Sequence, residues 1–312
     1  MSEVDIPATM REELRATWHR YLDLIEPLRP ALHRYCRHLT GTLWDAEDLV
    51  QDTVLRGFGT LGAIHHEIRN PQAYLLRIAA NLWIDSHRRR FRDPADPLSE
   101  PMEPRGSDPV AIRDATKVLL QGLAPQERAA VVLKDVFDFT LDEIATMLGT
   151  STGAVKAALH RGRTRLREGA EAALPGRCPP SVELVDRFVA AFNARDVAGV
   201  TALLLDGASA EVVGCVSEHG AKAIITGSIR HTFELEEGAP RAERRQFRGE
   251  PIVIVWYALP EGNRAGDVLR IEEQDGQIAF LRYYAFCPET LAEVAQELGL
   301  PLRTRGYHYR MG

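Results

Sequence analysis

Residues 123–167 read LAPQERAAVVLKDVFDFTLDEIATMLGTSTGAVKAALHRGRTRLR, and this stretch carries the strongest structural signal in the chain. Thr140 and Glu143 have the spacing of a capping box, which predicts a short helix that begins there and ends at Gly149. A second helix follows directly and runs to the end of the stretch. Two helices joined by a tight glycine turn predict a helix-turn-helix.

Three residues of this stretch occupy the constrained positions of such a motif. Ala145 is small enough for close helix contact, Gly149 makes the turn, and Val155 fills the angle between the helices. Gly162 is expected at a second close contact. The spacing therefore supports the motif independently of the capping signal.

The second helix separates an apolar stripe from a basic one. Val155 and Leu159 face inward, while basic residues recur beside them at spacings of four, three and four. A solvated helix also carries charge, but the preceding turn favours entry into a DNA major groove. The residues predicted to bind DNA here are Ser151, Thr152, Lys156, His160, Arg161, Arg163, Arg165 and Arg167.

The overall composition is that of a folded protein with several domains. The chain has 312 residues, 45% hydrophobic and 26% charged, which predicts two or three domains and excludes wholesale disorder. The net charge of −6 does not exclude nucleic acid, because phosphate binding needs a local positive surface. Residues 156–167 contain five Lys or Arg and no acidic residue.

The cysteines and the apolar runs limit the cellular setting. The four cysteines lie far apart, and His65 and His66 have no partners at metal-ligand spacing, so we expect neither a metal site nor a disulfide framework. No apolar run approaches the roughly 18 residues of a membrane helix. We therefore expect a cytoplasmic protein that does not contact membranes.

Two proline-rich segments divide the chain. Residues 93–109 contain five prolines and five acidic residues against one arginine, and residues 174–181 contain three prolines. The predicted organisation is a helical domain over 1–92, an acidic linker over 93–109, a helix-turn-helix domain over 110–172, a linker over 173–181 and a third domain over 182–312.

The first domain contains two predicted helices, over residues 45–58 and 70–90. Asn70 and Pro71 suit the start of the second helix as cap and first-turn proline. The third domain begins with a helical pair broken near Arg195. Strand-like runs over 210–216, 251–259, 267–272 and 277–286 follow, and then a short helix over 291–298, which predicts an α+β fold with a mostly antiparallel sheet.

The motifs DAEDLVQDTVLRGF (45–58), NPQAYLLRIAANLWIDSHRRR (70–90) and the helix-turn-helix, in this order, resemble the extracytoplasmic-function sigma factors of the sigma-70 family. The resemblance implies a non-enzymatic initiation factor without cofactors that binds bacterial core RNA polymerase and promoter DNA. We expect the free protein to be monomeric. The acidic linker matches segments that thread toward the polymerase active site, although simple spacing explains its composition equally well.

The resemblance also implies roles for particular residues. Asp48, Gln51 and Asp52 would dock on the clamp helices of the largest polymerase subunit, whereas Asp45 and Glu47 are better explained by solvation or the helix dipole. The helix-turn-helix would read the −35 element, and Ala158, where relatives commonly carry arginine, would remove one contact. Trp83 is expected in the core. The residues implied for the −10 element are Arg69, Asn70, Tyr74, Arg77, Asn81, Arg88 and Arg89.

The third domain resembles the SnoaL-like branch of the cone-shaped fold shared with nuclear transport factors. That fold curls a sheet around a pocket, which could hold a small ligand. The predicted lining residues are Trp256, Arg282, Tyr284 and Phe286. No catalytic residue is identifiable, so we expect a regulatory domain.

Two alternatives stay open at this point. A stand-alone helix-turn-helix regulator with a ligand-sensing SnoaL-like domain accounts for residues 123–167 and 181–312 but leaves 45–90 unexplained. A cyclase-type enzyme fused to a DNA-binding part would need turnover by its last domain. The interpretation as a sigma factor accounts for the largest part of the chain.

Overall fold

The structure is a computed structural model that describes residues 7–61, 67–92, 120, 122–168, 179–234 and 239–307. The chain forms two compact units, residues 1–177 and 178–312. The predicted linker 93–109, most of the linker 173–181, His65, His66 and the end of the C-terminal tail lie outside the described residues.

The described part of the first unit is helical. Its helices are α1 (Ala8–Ile25), a 3-10 turn (Glu26–Leu28), α2 (Arg29–Thr40), α3 (Leu43–Leu61), α4 (Pro71–Arg92), α5 (Pro125–Asp135), α6 (Leu141–Met147) and α7 (Thr152–Glu168). The two helices predicted around 45–58 and 70–90 are α3 and α4, and the predicted helix-turn-helix is formed by α6 and α7.

Helices α2, α3 and α4 pack against one another, and their hydrophobic core continues into α5, α6 and α7. Arg128 of α5 joins the two parts: its Nη1 donates to the carbonyl oxygen of Leu39 at 2.6 Å, and its guanidinium lies 4.9 Å from the centre of the Trp83 ring. Burial lowers the pKa of Arg128 to about 10. Tyr35 and Phe137 add an edge-to-face contact with ring centres 5.6 Å apart.

The second unit is α+β. It contains α8 (Val182–Asn193), α9 (Val197–Leu203), α10 (Ala221–Ile224), a π-helical turn (Ile225–Ile229), α11 (Arg230–Glu234) and α12 (Pro288–Leu298). Its strands are β1 (Leu204–Val212), β2 (Val216–His219), β3 (Arg241–Phe247), β4 (Glu250–Leu259), β5 (Gly262–Gln274) and β6 (Gln277–Tyr283).

The six strands form one sheet in the order β2-β1-β6-β5-β4-β3, in which the pairing of β1 with β6 is parallel and every other pairing is antiparallel. Helix α8 packs on β3 and β4. The prediction of helical parts followed by an α+β domain is confirmed. Sequence reasoning missed β2 and β3, and β3 is an edge strand whose sequence RAERRQF is dominated by charge.

Candidate functional site

The helix-turn-helix has the predicted local geometry. The backbone N–H of Thr140 donates to Glu143 Oε2 at 2.8 Å, and the N–H of Glu143 donates to Thr140 Oγ1 at 3.3 Å. Gly149 has a φ of +59°, in the left-handed region that glycine adopts without strain. Ala145 and Val155 are buried between the helices. The capping box, the turn and the two packing positions are therefore confirmed.

Gly162 lets α7 approach α5 closely. A Cβ atom at this position would lie 2.9 Å from Val131 Cγ2, closer than carbon atoms pack. The predicted close contact at Gly162 is therefore present.

Arg161 and Arg165 lie on the side of α7 that faces α5. Arg161 Nε and Arg165 Nη1 each donate to a different oxygen of Glu127, both at 2.8 Å. Glu127 is only 3% exposed. The two arginines thus neutralise a buried carboxylate and fasten α7 to α5, while their contact with DNA stays a prediction.

The other basic side chains of α7 line a groove of about 360 Å³ together with Lys134 of α5. We call this surface the basic groove; its charged or titratable residues are Lys134, Lys156, His160, Arg163 and Arg167. Arg163 also bonds Asp135, with Nε 3.2 Å from Oδ2, and this hydrogen bond raises the pKa of Arg163. The sequence analysis did not identify Lys134 as a DNA-binding candidate. Its position in the sequence is inconspicuous, because it is a single lysine that follows the apolar run AAVVL.

The two residues at the start of α7 hold the turn in place. Ser151 Oγ accepts from the N–H of Ala154 at 3.2 Å, and Thr152 Oγ1 donates to Asp142 Oδ1 at 2.9 Å. Both side chains therefore form hydrogen bonds within the motif, at the N-terminal end of α7, the helix that would enter the major groove of DNA.

The expectation for Ala158 needs correction. Ala158 is 6% exposed and faces the core of the motif, whereas Ala157 is exposed. A side chain at 158 would point into the protein rather than toward DNA.

Helix α4 begins as predicted, with the Ala73 N–H donating to Asn70 Oδ1 at 3.0 Å and proline in the first turn. Its buried face includes Leu76, Ala80 and Trp83, whereas Ile78 and Leu82 are half-buried. The core position of Trp83 is confirmed. The −10 candidates Arg69, Asn70, Arg77, Asn81, Arg88 and Arg89 are exposed.

Tyr74 differs from the other −10 candidates because it is half-buried. Its hydroxyl contacts Thr60 Oγ1 and donates to the carbonyl oxygen of Gly57 at 3.3 Å, both in α3. Stacking of Tyr74 on an unpaired base would therefore require these bonds to break.

The candidate docking residues lie on α3 around a buried ion pair. Glu47 is fully buried, its Oε1 accepts from Arg29 Nη2 at 2.9 Å, and Gln51 Nε2 donates to the same oxygen at 2.7 Å. The expectation that Glu47 is a solvated surface carboxylate is therefore wrong. Gln51 is 8% exposed, whereas Asp52 is exposed and Asp48 is half-buried.

Asp45, by contrast, has the expected role at the start of the helix. Its backbone N–H donates to Thr42 Oγ1 at 3.1 Å, and its carboxylate accepts from the same hydroxyl at 2.6 Å. This pair closes the N-terminus of α3.

The C-terminal unit has a cavity of about 520 Å³ between the sheet and the segment formed by the π-helical turn and α11. Of the four predicted lining residues, Phe286 lines this cavity. Trp256 instead donates to Glu243 Oε2 at 2.8 Å, and Arg282 pairs with Glu211 at 3.3 Å.

Tyr284 is fully buried and does not line the cavity. Side chains alternate along a strand, so Tyr257 and Tyr283, each one position away from a predicted residue, face the cavity instead. The pocket prediction chose the wrong face of β4 and β6.

Within the described ranges, no group of three or more His, Cys, Asp or Glu side chains could hold a metal ion. None of the helices in those ranges is both long and apolar enough to cross a membrane.

A basic groove on a helix-turn-helix, joined in one core to helices with exposed arginines and carboxylates, defines a DNA-binding transcription protein. Comparisons with known proteins identify the two helical parts. The family model for sigma-70 region 2 matches residues 24–92, and the model for sigma-70 region 4 matches residues 113–166.

The curated relatives agree with these matches. The ECF RNA polymerase sigma factor SigG of Mycobacterium tuberculosis is 30% identical over 278 residues, which cover 78% of this chain and 73% of SigG. SigJ of the same organism is 33% identical over 192 residues, 57% of this chain and 60% of SigJ. The crystal structure of SigJ matches 87% of this chain and 98% of its own at 24% identity, with a TM-score of 0.35.

The chain belongs to the ECF RNA polymerase sigma factors. Its function is to bind core RNA polymerase and direct transcription initiation at promoter DNA, a role that is not enzymatic. The interpretation as a sigma factor is thereby confirmed over the stand-alone regulator and the fused enzyme.

Proposed function

We propose that the chain docks on the clamp helices of the largest polymerase subunit through the outer face of α3. Asp48 and Asp52 provide the charge of this face, and the buried pair of Glu47 with Arg29 fixes the helix beneath it. Gln51 contributes less surface, because it is 8% exposed and bonded to Glu47. Carboxylates at the rim of an interface act mainly through association rate and partner choice.

The basic groove reads the −35 element. Lys156 and His160 lie in the first half of α7 and are exposed, which suits contact with base edges. Lys134 of α5 and Arg167 near the C-terminal end of α7 also line the groove, and they are expected to contact phosphates. The convergence of these side chains from two helices on one groove is the observation that carries the proposal.

Helix α4 and the loop before it read the −10 element. Arg77 and Asn81 are exposed on α4, and Arg88 lies near its end, 3.6 Å from Asp85. Exposed guanidinium and amide groups along one helix suit phosphate contacts and hydrogen bonds to unpaired bases.

The C-terminal unit regulates the two helical parts, and its cavity holds the ligand that sets this activity. This role is proposed from the presence of a folded unit with a cavity of mainly apolar surface beyond the matched sigma regions. The protein acts in the cytoplasm, where its polymerase partner resides.

The docking role is tested by binding of the full-length protein to bacterial core polymerase. Asp48→Asn combined with Asp52→Asn should reduce core affinity about tenfold or more, because both changes remove charge and keep shape. Asp138→Asn, which removes an exposed carboxylate of the helix-turn-helix, is the matched control and should leave core affinity unchanged. Equal affinity for the double variant and the unchanged protein would contradict the assignment of α3.

The regulatory role is tested by run-off transcription with core polymerase. The full-length protein is compared with a truncation that ends at Leu174. A more active truncation would make the C-terminal unit an inhibitor, and a less active one would make it an activator. Equal activity of the two at every template would contradict a regulatory role.

A further inference from the structure

Arg163 lies on the face of α7 that lines the basic groove. It follows His160 by three residues, a spacing that places the two side chains on the same face of a helix. The neighbouring Arg161 and Arg165 instead donate to the buried Glu127 and fasten α7 to α5. Arg163 therefore belongs to the groove, whereas the arginines two positions before and after it belong to the packing of the motif.

Asp135 is the last residue of α5 and contacts Arg163 with both carboxylate oxygens. Arg163 Nε donates to Oδ2 at 3.2 Å, and Nη2 donates to Oδ1. Two parallel hydrogen bonds of this kind fix the orientation of a guanidinium as well as its position. Asp135 thereby determines the direction in which Arg163 presents its other donors.

The other donors of Arg163 suit a base in the major groove. A guanidinium has five N–H donors in a rigid fork, and Asp135 does not use the Nη1 amino group or the outer N–H of Nη2. These donors form the end of the fork, and an arginine commonly contacts O6 and N7 of guanine with two donors at once. The Arg163 side chain is 44% exposed, so a base can reach this edge.

The stability of the motif does not explain the carboxylate at Asp135. The C-terminal end of a helix carries the negative end of its dipole, which disfavours a carboxylate there. The side chain is 39% exposed, and ion pairs between exposed groups contribute little to stability. Negative charge beside a groove that binds phosphates also weakens binding to DNA of every sequence. We therefore expect Asp135 to act on the choice of DNA sequence.

We propose that Asp135 is a positioning residue that sets the sequence specificity of the basic groove by directing Arg163 to a guanine and away from phosphates. The carboxylate holds one edge of the guanidinium, and the end of the fork contacts O6 and N7 of the base. Without the carboxylate, Arg163 turns to a phosphate, which carries no sequence information. This role rests on the reading of the −35 element proposed above for the basic groove.

Sequence selection with the full-length protein on bacterial core polymerase provides the DNA probes. Random duplexes too short to carry both promoter elements are enriched by binding. Fluorescence anisotropy then gives the dissociation constants for the selected duplex and for a scrambled duplex of the same composition. The ratio of these two constants is the specificity ratio.

Asp135→Asn removes the charge and keeps the shape of the side chain. The specificity ratio should fall about tenfold, because affinity for the selected duplex decreases while affinity for the scrambled duplex increases. Binding to the scrambled duplex should also depend more steeply on salt, by about one phosphate contact. Asp135→Glu should restore part of the ratio. Asp138→Asn, which removes an exposed carboxylate paired with Lys134, is the matched control and should keep the original ratio.

Arg163→Ala decides whether Asp135 acts through the arginine. In this background Asp135→Asn should no longer change the specificity ratio, because no guanidinium is left to position. Replacing guanines of the selected duplex by 7-deazaguanine removes the N7 acceptor. At one position this replacement should lower affinity about three- to tenfold for the unchanged protein and have no effect for Arg163→Ala.

Three results would overturn the positioning role: an equal fall of the ratio with and without Arg163, no guanine whose N7 matters, or an unchanged ratio in Asp135→Asn. A lower Tm of Asp135→Asn with an unchanged ratio would make the pair purely structural. Lys156→Ala separates this failure from failure of the −35 assignment. If it leaves affinity for the selected duplex unchanged, or if no sequence is enriched, the groove does not read DNA and both proposals fail.

Discussion

Glu127 fastens the DNA-facing helix α7 to α5, and Glu127→Gln measures how much this contact stabilises the motif. Two charge-assisted hydrogen bonds would contribute about 1.5–3 kcal/mol each if fully buried. The side chains of Arg161 and Arg165 are 55% and 46% exposed, so solvent screening reduces each contribution to about 1 kcal/mol. Glutamine keeps one neutral acceptor, and the expected loss is therefore about 1–2 kcal/mol.

The assay is thermal unfolding of the full-length protein followed by scanning calorimetry. For a unit of about 150–250 residues, the loss corresponds to a decrease in Tm of about 2–8 °C for the transition of the first unit. Asp138→Asn, which breaks an exposed pair with Lys134, should change the free energy of unfolding by less than about 0.5 kcal/mol. An unchanged Tm for Glu127→Gln, or equal losses for both variants, would refute the reasoning.

The same variant, Glu127→Gln, should have the opposite effect on affinity for DNA, which should increase. Without the carboxylate, Arg161 and Arg165 are free to turn toward phosphates, so affinity for DNA of any sequence should rise at low salt. Fluorescence anisotropy with unrelated duplexes over a salt series measures this change. The expected result for Glu127→Gln is therefore a higher non-specific affinity for DNA together with a lower stability of the first unit.

Three further predictions concern packing, pH and buried charge. Gly162→Ala should cost about 1–3 kcal/mol because its Cβ meets Val131, and Val131→Ala in the same chain should recover part of this loss in urea unfolding. Hydrogen bonds from the backbone N–H and the hydroxyl of Thr140 lower the pKa of Glu143 below its ordinary value of 4.5. The ionised cap therefore stabilises the fold above pH 4.5, and this stabilisation is lost as the pH falls through the lower pKa of the folded state. Glu143→Gln should remove this acid-side loss when unfolding is followed between neutral and acidic pH. Glu47→Gln should destabilise the first unit by about 3 kcal/mol, because it leaves the charge of Arg29 buried without its carboxylate partner. A loss of unfolding free energy below about 1 kcal/mol in chemical denaturation would show that the Arg29 charge is solvated instead.

Local signals in the sequence predicted the helix-turn-helix well. The capping pair, the turn glycine and the packing residues Ala145 and Val155 act over a few residues, so their spacing is sufficient to define the motif. The partner of Arg161 and Arg165 could not be found this way. Glu127 lies 34 residues before Arg161 along the chain, and only the tertiary structure brings the two together.

Charge patterns were less informative than spacing. Glu47 stands in the acidic segment DAED and reads as a surface residue, yet it is fully buried because Arg29 approaches it from α2. Strand β3 has a charged sequence because one of its edges is unpaired, and its apolar pattern is therefore weak.

The cavity shows a different limit of sequence reasoning. Alternation predicts which side chains of β6 share a face, but it does not say which face lies toward a cavity. Tyr283 faces the cavity and Arg282 faces Glu211, the reverse of the prediction. Phe286 was placed correctly although it follows the end of β6, where strand alternation no longer applies.

The contact of Arg128 with Leu39 and Trp83 has a geometric consequence for promoter binding. Elements centred near −35 and −10 are separated by about 25 base pairs, or about 85 Å at 3.4 Å per base pair. On the assignment proposed above, residues that share one hydrophobic core cannot span that distance, so α4 and α7 would have to separate before both engage DNA. The free energy of this contact would then be subtracted from the apparent affinity for a promoter that carries both elements. A chain in which Arg128 packs less well would be less stable alone and would enter the initiation complex more readily.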